Sequence, residues 1–410
     1  MIIRPYDAER DLESLRRLWQ EIGWTDESGT EGMERALEAG RTWVAQLDGA
    51  AESFALAVPG DLRYLRRDLS MSCITGVATS RVGKRQGLAR RVTARAIAET
   101  AADGAEVATL GVFDQGFYDR LGFGTGAHDR RCRFDPASLK VDPPQRPPLR
   151  LTKDDWEAVH ANRLRRRRVH GSCNLHAAKM TRADMHWCKN GFGLGFRDAP
   201  DGKLSHHVWL AVPDDVEYGP YNIWWMAWRT REQLLELLGV LKNLGDQVLV
   251  IRMGDPPGMQ LQSLLDRPFR HEMTTKDAKH ALGTLSWAAW QARICDLPAC
   301  LEKTNLPGPQ VRFNLTLTDP VTRFLDDDAA WRGVAGDYIV TLGPESGAER
   351  GTDAALRTMT ASVAAFTRLW LGVGPATGLA LTDDLAAPAE LLEELDTVLR
   401  LPSPQPDWDF

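Results

Sequence analysis

The chain has 410 residues, with 50 lysine and arginine against 56 aspartate and glutamate side chains and a net charge of -6. Its length predicts about two to four domains of ~100–200 residues. The even charge balance argues against a general nucleic-acid or anionic-membrane binder. We expect a cytoplasmic protein with reduced thiols, since the six cysteines form no C-x-x-C pair and neither a signal peptide nor an ~18-residue apolar run is found.

The first 80 residues predict the order strand, helix, helix and then three strands. A short strand begins at Ile2, and the apolar spacing of Leu12, Leu15, Leu18 and Trp19 predicts an amphipathic helix over residues 7–22. A second helix is expected over residues 31–38. Strands at 41–47 and 50–58 are joined by an Asp-Gly hairpin dipeptide, and an apolar strand at 71–79 follows.

A basic turn with two glycines follows the third strand and opens a helix over residues 88–102. Cations at a helix start oppose the helix dipole, so their presence predicts an anionic ligand. Gly83 and Gly87 would let the backbone approach phosphates closely. A solvated basic helix start is the alternative. The basic residues are Arg81, Lys84, Arg85, Arg90 and Arg91.

The turn is neither a Walker A loop nor a dinucleotide fingerprint. Its pattern, Lys84-x-x-Gly87-x-Ala89, resembles the Gln/Arg-x-x-Gly-x-Gly/Ala loop of the GCN5-related N-acetyltransferases. A strand at 106–112 and the corner Phe117-Tyr118-x-x-Leu121-Gly122-Phe123 come next. That superfamily carries a catalytic tyrosine at such a corner.

The rest of the chain predicts two further segments after a proline-rich linker at 143–148. The second contains helices at 153–167 and 231–244 and strands at 204–212, 221–228 and 247–253. The third contains strands at 311–317, 331–333 and 337–342 and helices at 359–371 and 390–399, which fits a small sheet with helices on one face. We therefore predict domains at 1–142, 149–286 and 287–410.

Three local patterns of the second segment have structural explanations that we favour over functional ones. The arginine run at 163–168 is expected to be a solvated helix face or a subunit contact rather than an RNA site. The tryptophans at 224–228 are expected to pack. Four possible zinc ligands have irregular spacing, and we expect no metal site there: Cys173, His176, His186 and Cys188.

The whole chain resembles the enhanced intracellular survival (Eis) family of acetyltransferases. The resemblance rests on the turn and corner above, on the leucine-rich stretch 235–244 followed by Asp255-Pro-Pro, and on the tail Pro406-Asp-Trp-Asp-Phe410. It implies a mixed α/β (α+β) protein: two tandem GCN5-related acetyltransferase folds, the second without the cofactor motif, and a sterol carrier protein 2-like α/β domain. It also implies a homo-oligomer, a trimer or hexamer.

The resemblance implies acetyl-CoA as cosubstrate and assigns residues to it. Val77 and Thr79 would bind the pantetheine arm through backbone atoms. The pyrophosphate would be held by Lys84, Arg85, Gly87, Leu88 and Ala89. Lys84 replaces the usual arginine or glutamine and offers only a point charge. The corner reads Phe113-Asp114-Gln115-Gly116 where the family often has Ser-Glu-Gly-Gly.

Acetyl transfer to an amine needs an acid for the leaving thiolate and a base for the amine. Tyr118 is the predicted general acid, with packing on Phe123 as its structural alternative. The resemblance makes the C-terminal carboxylate of Phe410 the base, through water or with a pKa raised by burial. Asp409 is expected near a cationic acceptor, and three residues are expected at the mouth by position: Glu21, Trp24 and Asp26.

The sequence thus predicts an N-acetyltransferase that acts on a primary amine of a small polycationic acceptor, of aminoglycoside or polyamine type. One alternative is a peptide or protein lysine acetyltransferase. Others are a lipid-binding carrier with a vestigial catalytic domain, and a scaffolding oligomer without activity. We expect no nucleic-acid or membrane partner.

Overall fold

The structure is a computed structural model that describes residues 1–25, 29–198, 202–266 and 279–409. Helices and strands are numbered below in chain order. None of the helices in these ranges is long and apolar enough to cross a bilayer.

The N-terminal segment has the predicted order of strands and helices, both before and after the basic turn that contains Gly83 and Gly87. Its elements are β1 (Ile2–Pro5), α1 (Ala8–Glu21), α2 (Glu31–Leu37), β2 (Arg41–Leu47), β3 (Ala50–Tyr64), β4 (Arg67–Thr79), α3 (Leu88–Ala102), β5 (Val107–Gly111), β6 (Gly124–Thr125) and β7 (Asp129–Phe134).

The middle segment alternates strands with helices. Its elements are β8 (Leu149–Leu151), α4 (Trp156–Leu164), β9 (Cys173–Leu175), α5 (Ala178–Trp187), β10 (Phe192–Phe196), β11 (His206–Ala211), β12 (Tyr221–Ala227), α6 (Arg231–Asn243), β13 (Ile251–Gly254) and β14 (Gly283–Trp287).

The C-terminal segment contains the remaining elements. They are β15 (Trp290–Ile294), α7 (Leu297–Glu302), β16 (Val311–Thr318), β17 (Gly336–Leu342), β18 (Gly347–Arg350), β19 (Thr358–Ser362), α8 (Val363–Trp370), α9 (Ala376–Thr382), β20 (Leu385–Ala386) and α10 (Ala389–Val398).

Three sheets organise these elements. The first has the order β1-β2-β3-β4-β5-β15-β6, with β9 on β3; the second has the order β14-β7-β13-β12-β11-β10-β8; the third has the order β18-β17-β16-β19-β20. The domain boundaries at residues 142 and 286 stay predictions, and hydrogen bonding crosses both of them. β7 lies in the second sheet, and β15 returns to the first sheet.

Helices cover both faces of the first sheet. Successive side chains of a strand point to opposite faces, so one strand contributes to two apolar clusters. Along β2, Trp43 and Ala45 pack in one cluster with α3, whereas Val44 packs in another with α1. β2 and β3 are joined by the predicted hairpin. Asp48 and Gly49 both have positive φ, 46° and 88°, as a type I′ turn requires.

Two predictions for the C-terminal segment are wrong. Residues 331–333 are irregular rather than a strand, since Gly333 has φ 90° and the Trp331 indole turns away to donate to the carbonyl oxygen of Cys295 at 2.9 Å. The helix predicted from 359 begins only at Val363, because β19 occupies the residues before it. Ser362 caps this helix by accepting the N–H of Ala365.

Candidate functional site

The parallel strands β4 and β5 pair only over a short stretch and then separate. The pairs are Met71 with Val107, Ser72 with Ala108 and Cys73 with Thr109. β4 continues to Thr79, where it pairs only with β3, and its register against β3 shifts between Phe54 and Leu56. Gly76 has φ 60° at this irregularity, which bends the strand. Toward their carboxyl ends, β4 and β5 are therefore no longer hydrogen-bonded to each other.

Three of the predicted site residues lie along the separated part of β4. Val77 and Thr79 belong to the strand itself and are half-buried. Trp24 is 42% exposed, and its ring meets that of Phe54 edge-on with 6.4 Å between centroids. Because Phe54 is the β3 partner of Ala78, Trp24 lies beside the same stretch of β4.

The turn after β4 has a backbone conformation that would suit an anion. Arg85 and Gly87 both have positive φ, 63° and 76°. α3 begins at Leu88, and its N-cap Gly87 has no side chain to bond the first turn. The N–H groups at the start of a helix have no partner within it. Those of Leu88 and Ala89 are therefore available to a phosphate, as predicted for this position.

Only part of the positive charge at this turn is free. Arg91 pairs with Asp326 of the C-terminal segment. Lys84 and Arg85 are exposed, and no carboxylate in the described parts of the chain lies within ion-pair distance of either. These two side chains are therefore the cations that a ligand at the turn would meet.

The turn is packed tightly against the end of β4. A Cβ on Gly83 would lie 2.9 Å from Thr79 Cγ2 and 3.1 Å from the carbonyl oxygen of Glu52. The N–H of Gly83 donates to Ser80 Oγ at 3.1 Å. Position 83 therefore has no room for a side chain, and the turn is fixed relative to the strand.

Glu21 supports this turn. Its carboxylate accepts the backbone N–H of Arg81 at 2.8 Å, and its carbonyl oxygen accepts a bond from the Arg81 guanidinium at 3.3 Å. The sequence predicts Glu21 at the mouth for the acceptor. The hydrogen bonds place it at the base of the turn.

Tyr118 opens a single 3-10 turn, Tyr118–Leu121, at the predicted corner. Its side chain is 8% exposed, and its ring meets those of Phe117 and Phe123 edge-on with centroids 4.8 and 6.1 Å apart. Burial, and secondarily the charge of Asp114, raises the pKa of Tyr118 to about 12. The phenol is therefore protonated at neutral pH, as a general acid must be. Phe113, before the corner, is 93% exposed.

The tail after α10 is anchored to the middle segment. The Asp407 carboxylate accepts bonds from Arg166 Nε at 2.9 Å and Nη2 at 2.6 Å. The Trp408 ring is 4% exposed, and its centroid lies 3.6 Å from the guanidinium carbon of Arg163. The arginine run thus binds the tail, where the sequence predicts a solvated face or subunit contact.

Beyond Trp408 the tail approaches the start of β7. Asp409 is exposed and lies 3.6 Å from Arg131. Two of the predicted site residues, Asp26 and Phe410, lie outside the described residues. Their predicted roles stay predictions.

One acidic residue beside the tail was missed by the sequence reasoning. Asp129 begins β7, and burial, together with the nearby charge of Asp409, raises its pKa to about 6, while Arg131 acts in the opposite direction. No motif marks it, since it lies in an ordinary polar stretch at the start of a short strand. It becomes a candidate only because the fold brings it to the tail.

The possible zinc ligands of the middle segment are not brought together. Cys173 packs in one buried cluster and Cys188 in another. In the described ranges, the cluster with metal-ligand spacing is instead Asp198, His206 and Glu236. Arg146 pairs with both of its carboxylates, which accounts for the cluster without a cation.

Residues 3–126 match the family model of the acetyltransferase (GNAT) domain. This part of the chain is a GNAT-type acetyltransferase domain. It contains the separated strands, the basic turn and the Tyr118 corner. The chain is thereby an N-acetyltransferase, and domains of this type use acetyl-CoA. A search of curated proteins finds no match.

Solved structures resemble the chain over its full length. A probable N-acyltransferase from Enterococcus faecalis V583 has a TM-score of 0.78 at 16% identity, covering 100% of this chain and 99% of its own. A GCN5-related N-acetyltransferase from Anabaena variabilis has 0.77 at 12%, and Eis1 from Mycobacterium abscessus 0.75 at 16%, each over 100% of both chains. At these identities the likeness shows a shared fold.

The acetyltransferase domain offers what the phosphates of acetyl-CoA need. The helix start has no side-chain cap, and Gly83 leaves no side chain in the way. Neither Lys84 nor Arg85 forms an ion pair with a carboxylate in the described residues. Lys84, Arg85 and the N–H groups of Leu88 and Ala89 would hold the phosphates, and acetyl-CoA would supply the acetyl group.

A Glu21 variant separates the two roles discussed for that residue. Glu21→Ala is expected to weaken acetyl-CoA binding about 3- to 10-fold, because one hydrogen bond that fixes the turn is lost. Glu21→Gln keeps an acceptor oxygen and should restore the affinity. Calorimetric titration with CoA measures both. Unchanged CoA affinity with a raised KM for the amine would instead support the predicted place at the acceptor mouth.

Proposed function

We propose that the chain transfers acetyl from acetyl-CoA to a primary amine of a small polycationic acceptor, such as a polyamine or an aminoglycoside. The observation that carries this is the position of the basic turn, which follows the part of β4, from Ile74 to Thr79, that no longer pairs with β5. A cosubstrate held at the turn can then extend along the free edge of β4, with Val77 and Thr79 offering backbone groups to its arm.

Direct attack of the amine needs two proton transfers. Acetyl-CoA, when bound, supplies a thioester carbonyl to the amine. Tyr118 holds its proton at neutral pH and gives it to the leaving sulfur. The amine must lose a proton, and the Phe410 carboxylate is the proposed base. The anchoring of Asp407 and Trp408 supports this role, because it leads the last described residues to Asp129.

The charge beside the tail supports a cationic acceptor. Asp129 and Asp409 lie close enough for the second to raise the pKa of the first, and a bound cation would relieve that repulsion. Arg131 acts on both carboxylates and Arg163 on Asp409, yet burial keeps the pKa of each carboxyl raised. A polyamine or aminoglycoside carries several ammonium groups, so one can lie at the carboxylates while another, neutral, reacts.

Asp129→Asn tests this arrangement through pH. In the native protein, Asp129 is ionised above about pH 6, so the KM for a cationic acceptor should fall as pH rises through this value. The Asn variant should lose that dependence and show a KM raised about 10-fold at neutral pH, as expected for one lost charge-assisted contact. Initial rates between about pH 5 and 8 measure it.

The same variant makes a second prediction about stability. The folded pKa of Asp129 lies above the ordinary value, so its contribution to stability is present at low pH and is lost as pH rises through about 6. At pH 8, Asp129→Asn should therefore unfold at a higher temperature than the native chain, with a free energy of unfolding larger by at most about 3 kcal/mol. Near pH 4 the two free energies should be equal. A destabilised variant at pH 8 would contradict the assignment.

We also propose the finer domain description: a catalytic acetyltransferase domain, a second domain of the same fold without the cofactor motif, and a sterol carrier protein 2-like domain. The second sheet supports the tandem arrangement, since β12 and β13 pair in parallel within an otherwise antiparallel sheet, as β4 and β5 do in the first. A trimer or hexamer is the proposed assembly, which light scattering would test.

The acceptor class is tested by competition. A polyamine, an aminoglycoside and a lysine peptide are offered at equal concentration with limiting acetyl-CoA, and the products are separated by mass. The proposal expects acetylated polyamine or aminoglycoside to dominate. Preference for the peptide would instead support the protein lysine acetyltransferase alternative.

A further inference from the structure

The corner that presents Tyr118 is held by residues from outside the matched acetyltransferase domain. β15 enters the first sheet between β5 and β6, so it runs directly beside the corner. Gln291 and Arg293 are two positions apart on β15, and side chains at this spacing point to the same face of a sheet. Both side chains are fully buried.

Each of the two side chains bonds the turn that starts at Tyr118. Gln291 Nε2 donates to the Asp119 carboxylate at 2.6 Å. Arg293 Nη1 donates to the backbone carbonyl oxygen of Leu121. The middle and the end of Tyr118–Leu121 are thus both attached to β15.

The Arg293 charge is compensated by the C-terminal segment. Its Nη2 lies 2.6 Å from Asp319, whose side chain is fully buried as well. Asp319 also accepts the N–H groups of Val321 and Val334 at 3.2 and 3.0 Å, which fixes the carboxylate. A buried ion pair is costly, and an apolar pair often stabilises a fold equally well. Its presence here is therefore weak evidence for a purely stabilising role.

The corner closes directly onto the arginine. Gly122, with φ 82°, follows the turn. A Cβ at this position would lie 2.8 Å from Arg293 Nη1 and 2.6 Å from Val363 Cγ1 of α8. The backbone at the corner can therefore not shift toward β15 or α8.

The Tyr118 phenol depends on this support. In the described part of the chain, no hydrogen bond fixes its oxygen, and its ring packs in a buried apolar cluster where Phe117 and Phe123 meet it edge-on. Apolar packing alone fixes a direction weakly, so the place of the phenol also depends on where the backbone of the turn starts the side chain.

We propose that Arg293, held by Asp319 and assisted by Gln291, is a positioning residue for Tyr118. The proposal rests on the proposed function, in which Tyr118 is the acid. It gives the C-terminal segment a part in catalysis that is separate from the tail: without β15 and Asp319, the acetyltransferase domain would contain the tyrosine but not hold it in place.

A double-mutant cycle tests the proposal. Arg293→Lys keeps the buried charge beside Asp319 but cannot bridge the carboxylate and the Leu121 carbonyl at once. We expect kcat to fall about 10- to 100-fold, as for a misplaced catalytic group, with an unchanged KM for acetyl-CoA. In a Tyr118→Phe background the same change should lower kcat no further.

Two further variants serve as a control and as a substitute in case Arg293→Lys does not fold. Arg146→Lys is the matched control, since Arg146 also bridges carboxylates, those of Asp198 and Glu236, and the backbone carbonyl of Arg197, but it touches neither the corner nor the tail. Its kcat should match wild type. Gln291→Met removes the bond to Asp119 without leaving a buried charge, so it serves if Arg293→Lys fails to fold. It should show a smaller loss of kcat, again absent in the Tyr118→Phe background.

The outcomes distinguish the positioning role of Arg293 from the acid role of Tyr118, on which it rests. Equal factors in both backgrounds, or no loss of kcat, would overturn the positioning role while the acid stands. A Tyr118→Phe variant with native kcat would overturn the acid, and the positioning role with it.

Discussion

Replacing Tyr118 by phenylalanine is expected to lower kcat about 100- to 10,000-fold, the range that general acid catalysis supplies. The ring and its edge contacts with Phe117 and Phe123 remain, so the corner should keep its shape. The KM for acetyl-CoA should not change, because the turn at 84–89 does not include this residue. Steady-state rates of thiol release, with acetyl-CoA and amine varied in turn, measure both quantities.

Tyr221→Phe is a matched control for this substitution. Tyr221 is also 8% exposed, lies in β12 of the second sheet, and donates from its hydroxyl to the Val216 carbonyl at 2.7 Å. Loss of this hydroxyl should leave kcat as in wild type. An equal fall in both variants would show a general effect of removing a buried hydroxyl and would contradict the acid role of Tyr118.

The second large effect is expected at the cofactor turn. Lys84→Glu/Arg85→Glu should raise the Kd of CoA at least about 100-fold, since two charge-assisted contacts to phosphate are each worth about 1.5–3 kcal/mol. Neither cation pairs with a described carboxylate, so the substitutions break no ion pair described in the fold. Calorimetric titration with CoA measures the effect without turnover.

The opposite end of β4 supplies a control pair. Arg66 lies in the turn between β3 and β4, Arg67 is the first residue of β4, and both are exposed, whereas Lys84 and Arg85 follow the other end of β4. Arg66→Glu/Arg67→Glu changes the net charge by the same amount. CoA affinity should stay near that of wild type. A matching loss in this pair would show that only the overall charge attracts CoA, and the turn would then not be the binding site.

The local features of the acetyltransferase domain could be predicted from sequence because each is encoded within a few residues. The Asp48-Gly49 dipeptide predicted its hairpin, since few residue pairs accept positive φ at both positions. The glycines at 83 and 87 predict a turn, and the turn is present: Gly87 has positive φ, and Gly83 has no room for a side chain. The corner at Tyr118 is likewise predicted from a local pattern, the aromatic and glycine residues at 117–123.

Features that depend on distant pairing were not predictable. Nothing in the local pattern of β7 or β15 tells which sheet each strand enters, because a strand's partners are set by the whole fold. Glu21 was placed at the acceptor mouth by position along the chain, whereas its carboxylate bonds a residue 60 positions away. Arg293 and Asp319 gave no signal either, because a lone arginine or aspartate in a strand region usually indicates a surface position.

The arginine run at 163–168 shows why charge clusters are ambiguous in sequence. A run of like charge is more often solvated than bound, and no aromatic residue interrupts this one. In the fold, the aromatic partner comes from the other end of the chain, as Trp408 lies against Arg163 and Asp407 against Arg166. A tail held in this manner is part of the packed fold rather than a frayed terminus.

The central claim is that this chain transfers acetyl from acetyl-CoA to an amine. The most direct measurement is the release of CoA thiol by the purified chain, with a polyamine as acceptor and the same polyamine with every nitrogen already acylated as control. The account predicts release that requires the free amine and saturates with it, together with one acetylated product per thiol. Tight CoA binding with no amine-dependent release from any amine of the panel would contradict it.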